Sequence, residues 1–253
     1  MTVDLKSKSV LVIDGGGLFT SLAERLVGHF GKVGYFLSWQ CSFPDGREMM
    51  VGTGLDNITR EKYLWPVIND YDLFVFPDVW DGDLQDYLRS IGKRVWGSGM
   101  GSDLELSRWS TRQRFPDLGL PVPKSVQVIG IPNLRAYLKQ NQNQYVKIST
   151  FRGIGETWHA ETYDMAKGQL DELESRLGPV AQIIGFVVEE AIPNAIESGY
   201  DGYCIDGEFP AKAVVGIEKK DKGYCGRACD YESLPKEVQE TNTKISYTMR
   251  DGY

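Results

Sequence analysis

The sequence predicts an α/β domain of Rossmann type followed by an α+β region built on antiparallel sheet. Three observations carry this. Strand and helix patterns alternate through residues 1 to about 100, a helix punctuated by glycine and proline follows near 97–123, and the remainder returns to short, β-branched strands with helices between them. At 253 residues and 42% hydrophobic, the chain is long enough to bury the cores of two compact domains.

Residues 9–30, SVLVIDGGGLFTSLAERLVGHF, open the first domain. Val10–Ile13 read as an apolar strand, the glycines as a turn, and Leu18, Leu22, Leu26 and Phe30 fall near helical spacing. KVGYFLSW from Lys32 and YDLFVFPD from Tyr71 predict the second and third strands; LQDYLRSIG from Leu84 predicts a helix, and KRVWGSG from Lys93 a fourth strand. Such alternation implies an open parallel sheet with its site at the carboxyl ends of the strands. Gly15, Gly16 and Gly17 invite a dinucleotide reading, but Thr20 stands where Gly-x-Gly-x-x-Gly needs its last glycine. The triplet therefore reads as a tight strand-to-helix turn or as an anion site at a helix N-terminus. Asp78 and Asp81, at the end of the third strand, read as ligand contacts or as a turn and a helix cap.

From Gly97 the composition changes. A glycine-rich loop leads into a helix from about Ser102 to Leu118, which Gly119 caps before Pro121 and Pro123 forbid its continuation. A strand near Val126, a helix around Leu134–Leu138 and the strand QYVKIS follow; then come ETWHA, a long helix over 163–178, and the strands GFVVEEAI, ESGYDGYCID and EFPAKAVVGIE. LPKEVQETNTKISYTM, after Ser233, reads as an amphipathic helix with a proline start and with Leu234, Val238 and Ile245 on its apolar side.

Several function classes are set aside by composition and motif. With 35 acidic and 28 basic side chains, a net charge of −7 argues against a grip on nucleic acid or anionic membrane through bulk charge. The N-terminus has no apolar signal region and no stretch of about eighteen apolar residues occurs, so the expected compartment is the cytoplasm. The four cysteines fit a reducing compartment, and the Cys225-x-x-x-Cys229 pair lacks nearby partners for zinc because His29 and His159 lie far off in sequence. Walker, nucleophile-elbow and zincin patterns are absent.

Leu104-Glu105-Leu106-Ser107-Arg108, ahead of Gly119-Leu120-Pro121, resembles the Leu-Glu-x-Ser-Lys segment preceding a Gly-Ile-Pro sequence in phosphoribosylamine–glycine ligases of the ATP-grasp superfamily. Arginine stands in for the family lysine. The opening strand, glycine turn and helix are similar to that family's, as is GKRVWGSG before the linker. YVKIS and the loop after it resemble the superfamily's second cationic position and its flexible glycine-rich loop. Residues 187–227 are similar to its adenine hinge, ribose-binding acid and following strands, so the resemblance runs in order over nearly the whole chain.

The resemblance implies a Rossmann-like pre-ATP-grasp domain over 1–101, a linker helix over 102–123, a small ATP-grasp subdomain over 124–188 and an incomplete large subdomain over 189–253. ATP carries about four negative charges, and setting a carboxylate in line with its γ-phosphate requires fixed cations and magnesium. Lys147 would meet the α- and β-phosphates and Arg108 would supply a second cation. The loop from Ser149 through Arg152, Gly153 and Gly155 would fold over the β- and γ-phosphates. Glu189, Glu190, Ala191 and Ile192 would form the adenine hinge, with backbone groups for the base's edge and apolar side chains for its face. Glu197 would accept the ribose hydroxyls, and Lys220 would add a cation toward the phosphates or an acyl phosphate. Arg152 and Lys220 are the catalytic candidates. Each also has a plain reading: a solvated lysine, an Arg108–Glu105 helix pair, a cross-sheet partner for Glu197, an exposed turn at Lys219-Lys220.

The implied reaction is ATP-dependent carboxylate–amine ligation, with small-molecule carboxylate and amine partners, ATP and Mg²⁺ as cofactors, and a site between the amino-terminal domain and the two subdomains. Homo-oligomerisation is left open. The chain departs from the family in two places. It reaches Tyr253 before the late strand whose Glu-x-Asn holds magnesium, and Glu240-Thr241-Asn242, though correctly spaced, falls in the predicted helix, leaving the metal ligands unassigned. The glycine turn lacks the arginine and histidine that follow it in phosphoribosylamine–glycine ligases, so the substrate is unassigned too. A non-catalytic or truncated ATP-binding protein and a Rossmann dinucleotide-binding protein are the alternatives.

Overall fold

The computed structural model describes residues 4–37, 51–149, 157–193, 198–219 and 223–251. The chain divides into two compact units, Met1–Ser102 and Asp103–Tyr253.

The first unit contains β1 (Ser9–Asp14), α1 (Thr20–Val27), β2 (Lys32–Leu37), β3 (Ile58–Arg60), β4 (Leu73–Val75), α2 (Gly82–Ser90) and β5 (Arg94–Trp96). The strands form one parallel sheet in the order β3-β2-β1-β4-β5. β1 lies at its centre and is covered on both faces, which is why SVLVID is apolar almost throughout instead of alternating. Val10 and Val12 pack with Ala23 of α1, with Val33 and Tyr35 of β2, and with Val75 of β4. Leu11 and Ile13 point the other way, into a cluster with Phe36, Phe74, Phe76 and Leu88 of α2. β3 is an addition to the four strands read from sequence.

Gly34, in the middle of β2, is required by packing. A Cβ there would lie 2.5 Å from Tyr71 Cζ and 2.8 Å from Leu11 Cδ1. The Tyr71 ring cannot retreat easily, because its hydroxyl donates to Glu61 Oε1 at 2.5 Å. Gly34→Ala is expected to destabilise the protein by about 2 kcal/mol, the usual size of an overpacked core site. Denaturant unfolding measures this, and an unchanged midpoint would show that the Tyr71 ring yields.

The second unit begins with α3 (Asp103–Leu106) and α4 (Arg108–Arg114), and a 3-10 turn over Phe115–Leu118 ends at Gly119 in the left-handed region, φ 65°. The single helix expected over 102–118 is thus interrupted. Ser107 leaves helical geometry at φ −118°, ψ 79°, and the Arg108 N–H bonds the Ser149 carbonyl at 3.2 Å instead of continuing the helix. Next come β6 (Ser125–Ile129), α5 (Ile131–Gln140), β7 (Gln144–Ile148), β8 (Thr157–Ala160), α6 (Tyr163–Leu177) and β9 (Gly185–Glu190). Their sheet has the order β6-β9-β7-β8, every neighbour antiparallel. One face carries Val146, Ile148, Trp158, Phe186 and Val188 into a core with Ile131, Leu134 and Leu138 of α5 and Ala166 and Leu170 of α6. By alternation the opposite face carries Tyr145, Lys147, Val187, Glu189 and His159.

β10 (Ser198–Asp201), β11 (Lys212–Lys219) and β12 (Gly223–Asp230) form a separate antiparallel sheet, and α7 (Lys236–Asp251) follows. β12 is an addition to the sequence reading; α7 is the amphipathic helix predicted after Pro235. None of the helices among the described residues is long and apolar enough to cross a membrane.

Candidate functional site

Lys147 sits near the end of β7, where its Cα partner on β9 is Val187. Glu189 lies two residues further along β9 on the same face, so lysine and glutamate are diagonal neighbours across the strand pair. Lys147 Nζ stands 2.7 Å from Glu189 Oε2. The other carboxylate oxygen, Oε1, accepts from Arg112 Nε. Arg112 follows Arg108 by four residues on α4, which sets both side chains on one side of that helix. Arg108 fastens the start of α4 to the end of β7, since its guanidinium Nη1 donates to the Ile148 carbonyl at 2.6 Å, one residue beyond Lys147.

The Glu189 side chain is only 5% exposed, against 23% for Lys147 and 21% for Arg112. Burial alone would raise the carboxyl's pKa. The hydrogen bonds and charges of Arg112 and Lys147 outweigh that and hold it below the usual carboxylate range. The group is a buried anion with two cations, presenting a net positive edge where Lys147 reaches solvent.

Ser149 is buried beneath this edge. Its N–H donates to the Gly185 carbonyl at 2.9 Å and its own carbonyl accepts from Arg108 N, so its backbone anchors the chain leaving β7 and is not offered to a ligand. Glu190 ends β9 with an exposed carboxylate 4.0 Å from Lys124 Nζ. Its N–H donates to the Lys124 carbonyl, and the Ala191 N–H to that of Asn143. Ile192, just past β9, is an apolar side chain 61% exposed. Because β7 and β9 run antiparallel, these residues divide between the two ends of the pair: Arg108, Lys147 and Ser149 lie where β9 begins, Glu190 and Ile192 where β7 begins, and the Glu189 side chain reaches along the face to Lys147. Arg152, Gly153, Gly155, Glu197 and Lys220 lie outside the described residues. Arg112 was missed in the sequence reading, although its four-residue spacing from Arg108 was the available signal.

The glycine turn of the first unit is already supplied with an anion. Asp14, fully buried, accepts from Gly16 N at 3.1 Å and Gly17 N at 2.8 Å through Oδ1, and from Phe19 N and the Tyr35 hydroxyl, both at 2.7 Å, through Oδ2. Trp80 packs on the same turn so closely that a Cβ at Gly15 would lie 3.1 Å from its Cδ1. The amides that would meet a pyrophosphate are therefore engaged by the protein itself, and the turn reading of Gly15–Gly17 holds. Asp78 Oδ1 accepts from Val79 N at 2.7 Å, and Asp81 takes the N-cap position of α2 at φ 62° without a side-chain cap bond.

Glu240 and Asn242 do not converge. Glu240 faces Lys236 at 3.8 Å on the exposed side of α7, whereas the Asn242 amide nitrogen is buried without a partner, as residues two apart on a helix require. Among the described residues no group of three His, Cys, Asp or Glu side chains stands close enough to hold a metal ion. Cys204, Cys225 and Cys229 are free thiols, and His159 Nε2 is 2.7 Å from Asn143 Oδ1 with its ring stacked on Tyr145.

No protein-family model matches the sequence, and no curated protein matches it. Solved structures do. D-alanyl-alanine synthetase A from Vibrio cholerae is similar over 97% of this chain and 82% of its own, at TM-score 0.59 and 12% identity. Phosphoribosylamine–glycine ligase from Thermotoga maritima is similar over 97% of this chain and 62% of its own, at TM-score 0.62 and 13% identity. N5-carboxyaminoimidazole synthetase from Staphylococcus aureus, in a complex with ADP, is similar over 96% of this chain and 64% of its own, at TM-score 0.61 and 11% identity. The chain spans less than two thirds of the last two. At these identities the likeness is one of fold: the chain has the mixed α/β ATP-grasp architecture of these ligases.

Proposed function

We propose that the chain is an ATP-dependent carboxylate–amine ligase, or the nucleotide-binding part of one. The observation that carries this reading is the cationic cluster of Arg108, Arg112 and Lys147 on the open face of the small antiparallel sheet, with the exposed Ile192 three residues beyond Glu189 along the same chain. A triphosphate needs fixed positive charge on rigid elements, and a purine needs an apolar surface next to it. Lys147 is the cation for the α- and β-phosphates and Arg108 holds the second position. Backbone groups of Glu189–Ile192 other than the Glu190 and Ala191 N–H, which the Lys124 and Asn143 carbonyls hold, meet the edge of the base and Ile192 covers its face. Arg152, Gly153, Gly155, Glu197 and Lys220 keep the loop, ribose and acyl-phosphate roles that the family resemblance gives them.

ATP would supply the phosphoryl group. A carboxylate oxygen attacks the γ-phosphorus and ADP leaves; an amine nitrogen then attacks the acyl carbon, loses a proton, and expels phosphate to leave an amide. The protein's own part is to orient two anions against each other and neutralise them. Magnesium would share that neutralisation, but no step is assigned to it through the described residues.

Calorimetric titration with ATP and magnesium tests the reading. The chain is expected to bind ATP in the micromolar range, Lys147→Ala to weaken binding at least tenfold, and NADH not to bind. A folded protein that ignores ATP, or a Lys147→Ala variant that binds as well as the parent, would refute it. Adding candidate carboxylates and amines and following ADP release then separates a ligase from a protein that only holds the nucleotide.

A further inference from the structure

The ATP-binding reading gives Arg112 no phosphate of its own, yet it takes one oxygen of a carboxylate that already has a lysine on the other. We propose that Arg112 is a positioning residue that keeps Glu189 paired while Lys147 changes partner from that carboxylate to a nucleotide phosphate. The inference rests on the ATP-binding reading of Lys147. In the structure Lys147 Nζ is committed to Glu189 Oε2 at 2.7 Å, so a phosphate must draw it away. A carboxylate only 5% exposed and stripped of its sole cation would be strongly unfavourable, and the lysine would stay where it is. Arg112, bonded to Oε1, removes that obstacle, because Glu189 keeps a charge-assisted hydrogen bond after the lysine leaves.

The chemistry of the two cations suits the division of labour. The Lys147 ammonium is a point charge on a flexible four-carbon stem and can swing, whereas the planar guanidinium of Arg112 is oriented by its fork and stays. Arg112 also belongs to a short helix pinned to β7 by two Arg108 bonds, from its N–H to the Ser149 carbonyl and from Nη1 to the Ile148 carbonyl. The arginine and the strand carrying the lysine are thereby held in one frame.

The test is ATP affinity by calorimetry in the full chain, with thermal unfolding to verify folding. Arg112→Gln is expected to weaken ATP binding about tenfold, and Arg112→Lys to stay within about threefold of the parent. The decisive variant is Arg112→Gln combined with Glu189→Gln. With no buried charge left behind, Lys147 is released and affinity returns to within about threefold of the parent, a rescue that a merely structural arginine would not show. Parent-like binding by Arg112→Gln alone, or a double variant as weak as the single one, overturns the proposal. If Arg112→Gln does not fold, Glu189→Gln alone decides: it is expected to bind ATP at least as tightly as the parent, and weaker binding overturns the proposal. A parent chain that fails to bind ATP, or an indifferent Lys147→Ala, removes the ATP reading itself; a neutral Arg112→Gln beside a damaging Lys147→Ala removes only the role of Arg112.

Discussion

Asp14→Ala is expected to destabilise the protein by about 4 kcal/mol or more, a large share of the ~5–15 kcal/mol that holds a typical domain together. The carboxylate is fully buried and accepts four hydrogen bonds, from Gly16 N, Gly17 N, Phe19 N and the Tyr35 hydroxyl. Truncation leaves all four donors without an acceptor at the start of α1, and each buried orphan costs about 1–3 kcal/mol unless water reaches it. The Tyr35 phenol cannot compensate by ionising. Burial, and then its hydrogen bond to Asp14, push its pKa above the usual tyrosine range, so it remains a donor that needs an acceptor. Thermal unfolding should show the transition falling by about 15 °C or more, on the scale expected for a domain of this size. A fall of only a few degrees would mean that water takes over the turn amides, and the reading of Asp14 as the turn's built-in anion would fail.

Glu189→Gln is expected to destabilise the folded chain by about 3 kcal/mol near neutral pH, because it leaves Lys147 and Arg112 facing each other without their shared anion. The loss should depend on pH in a defined sense. The folded-state pKa of Glu189 lies below its ordinary value, so its contribution is fully present above the unfolded pKa of about 4.3 and disappears as the pH falls through the folded value. Parent and variant should therefore differ most between pH 5 and 7, and the difference should begin to shrink once the pH falls below the unfolded value. Denaturant unfolding across that range is the measurement, and a difference that stays constant down to pH 3 would show that the ion pairs contribute little. The effect on binding runs the other way, since the substitution unties Lys147.

These two carboxylates also mark the border between what local sequence conveys and what it does not. Val10–Ile13 announced a strand because an apolar run is a local property, and Pro235 with the spacing of Leu234, Val238 and Ile245 announced α7 for the same reason. β3 and β12 carried no such signal. Ile58–Arg60 is only three residues long, and Gly223–Asp230 contains no β-branched residue, so its extended form comes from pairing with β11. The break at Ser107 was equally hidden, because it is made by an Arg108 N–H bond to Ser149, forty-one positions along the chain.

By itself the sequence determined the alternation of strands and helices, the strand placement of Lys147, the Arg108 position ahead of Gly119 and the absence of a dinucleotide fingerprint, since each depends on residues close together in the chain. Only the tertiary structure decided that Glu189 turns its side chain onto Lys147 and Arg112, and that Asp14 satisfies its own glycine turn. A cross-strand diagonal depends on the register between β7 and β9, and a buried carboxylate on the donors folded around it. Neither register nor burial is written in any one segment; both arise when segments far apart in the chain are packed together.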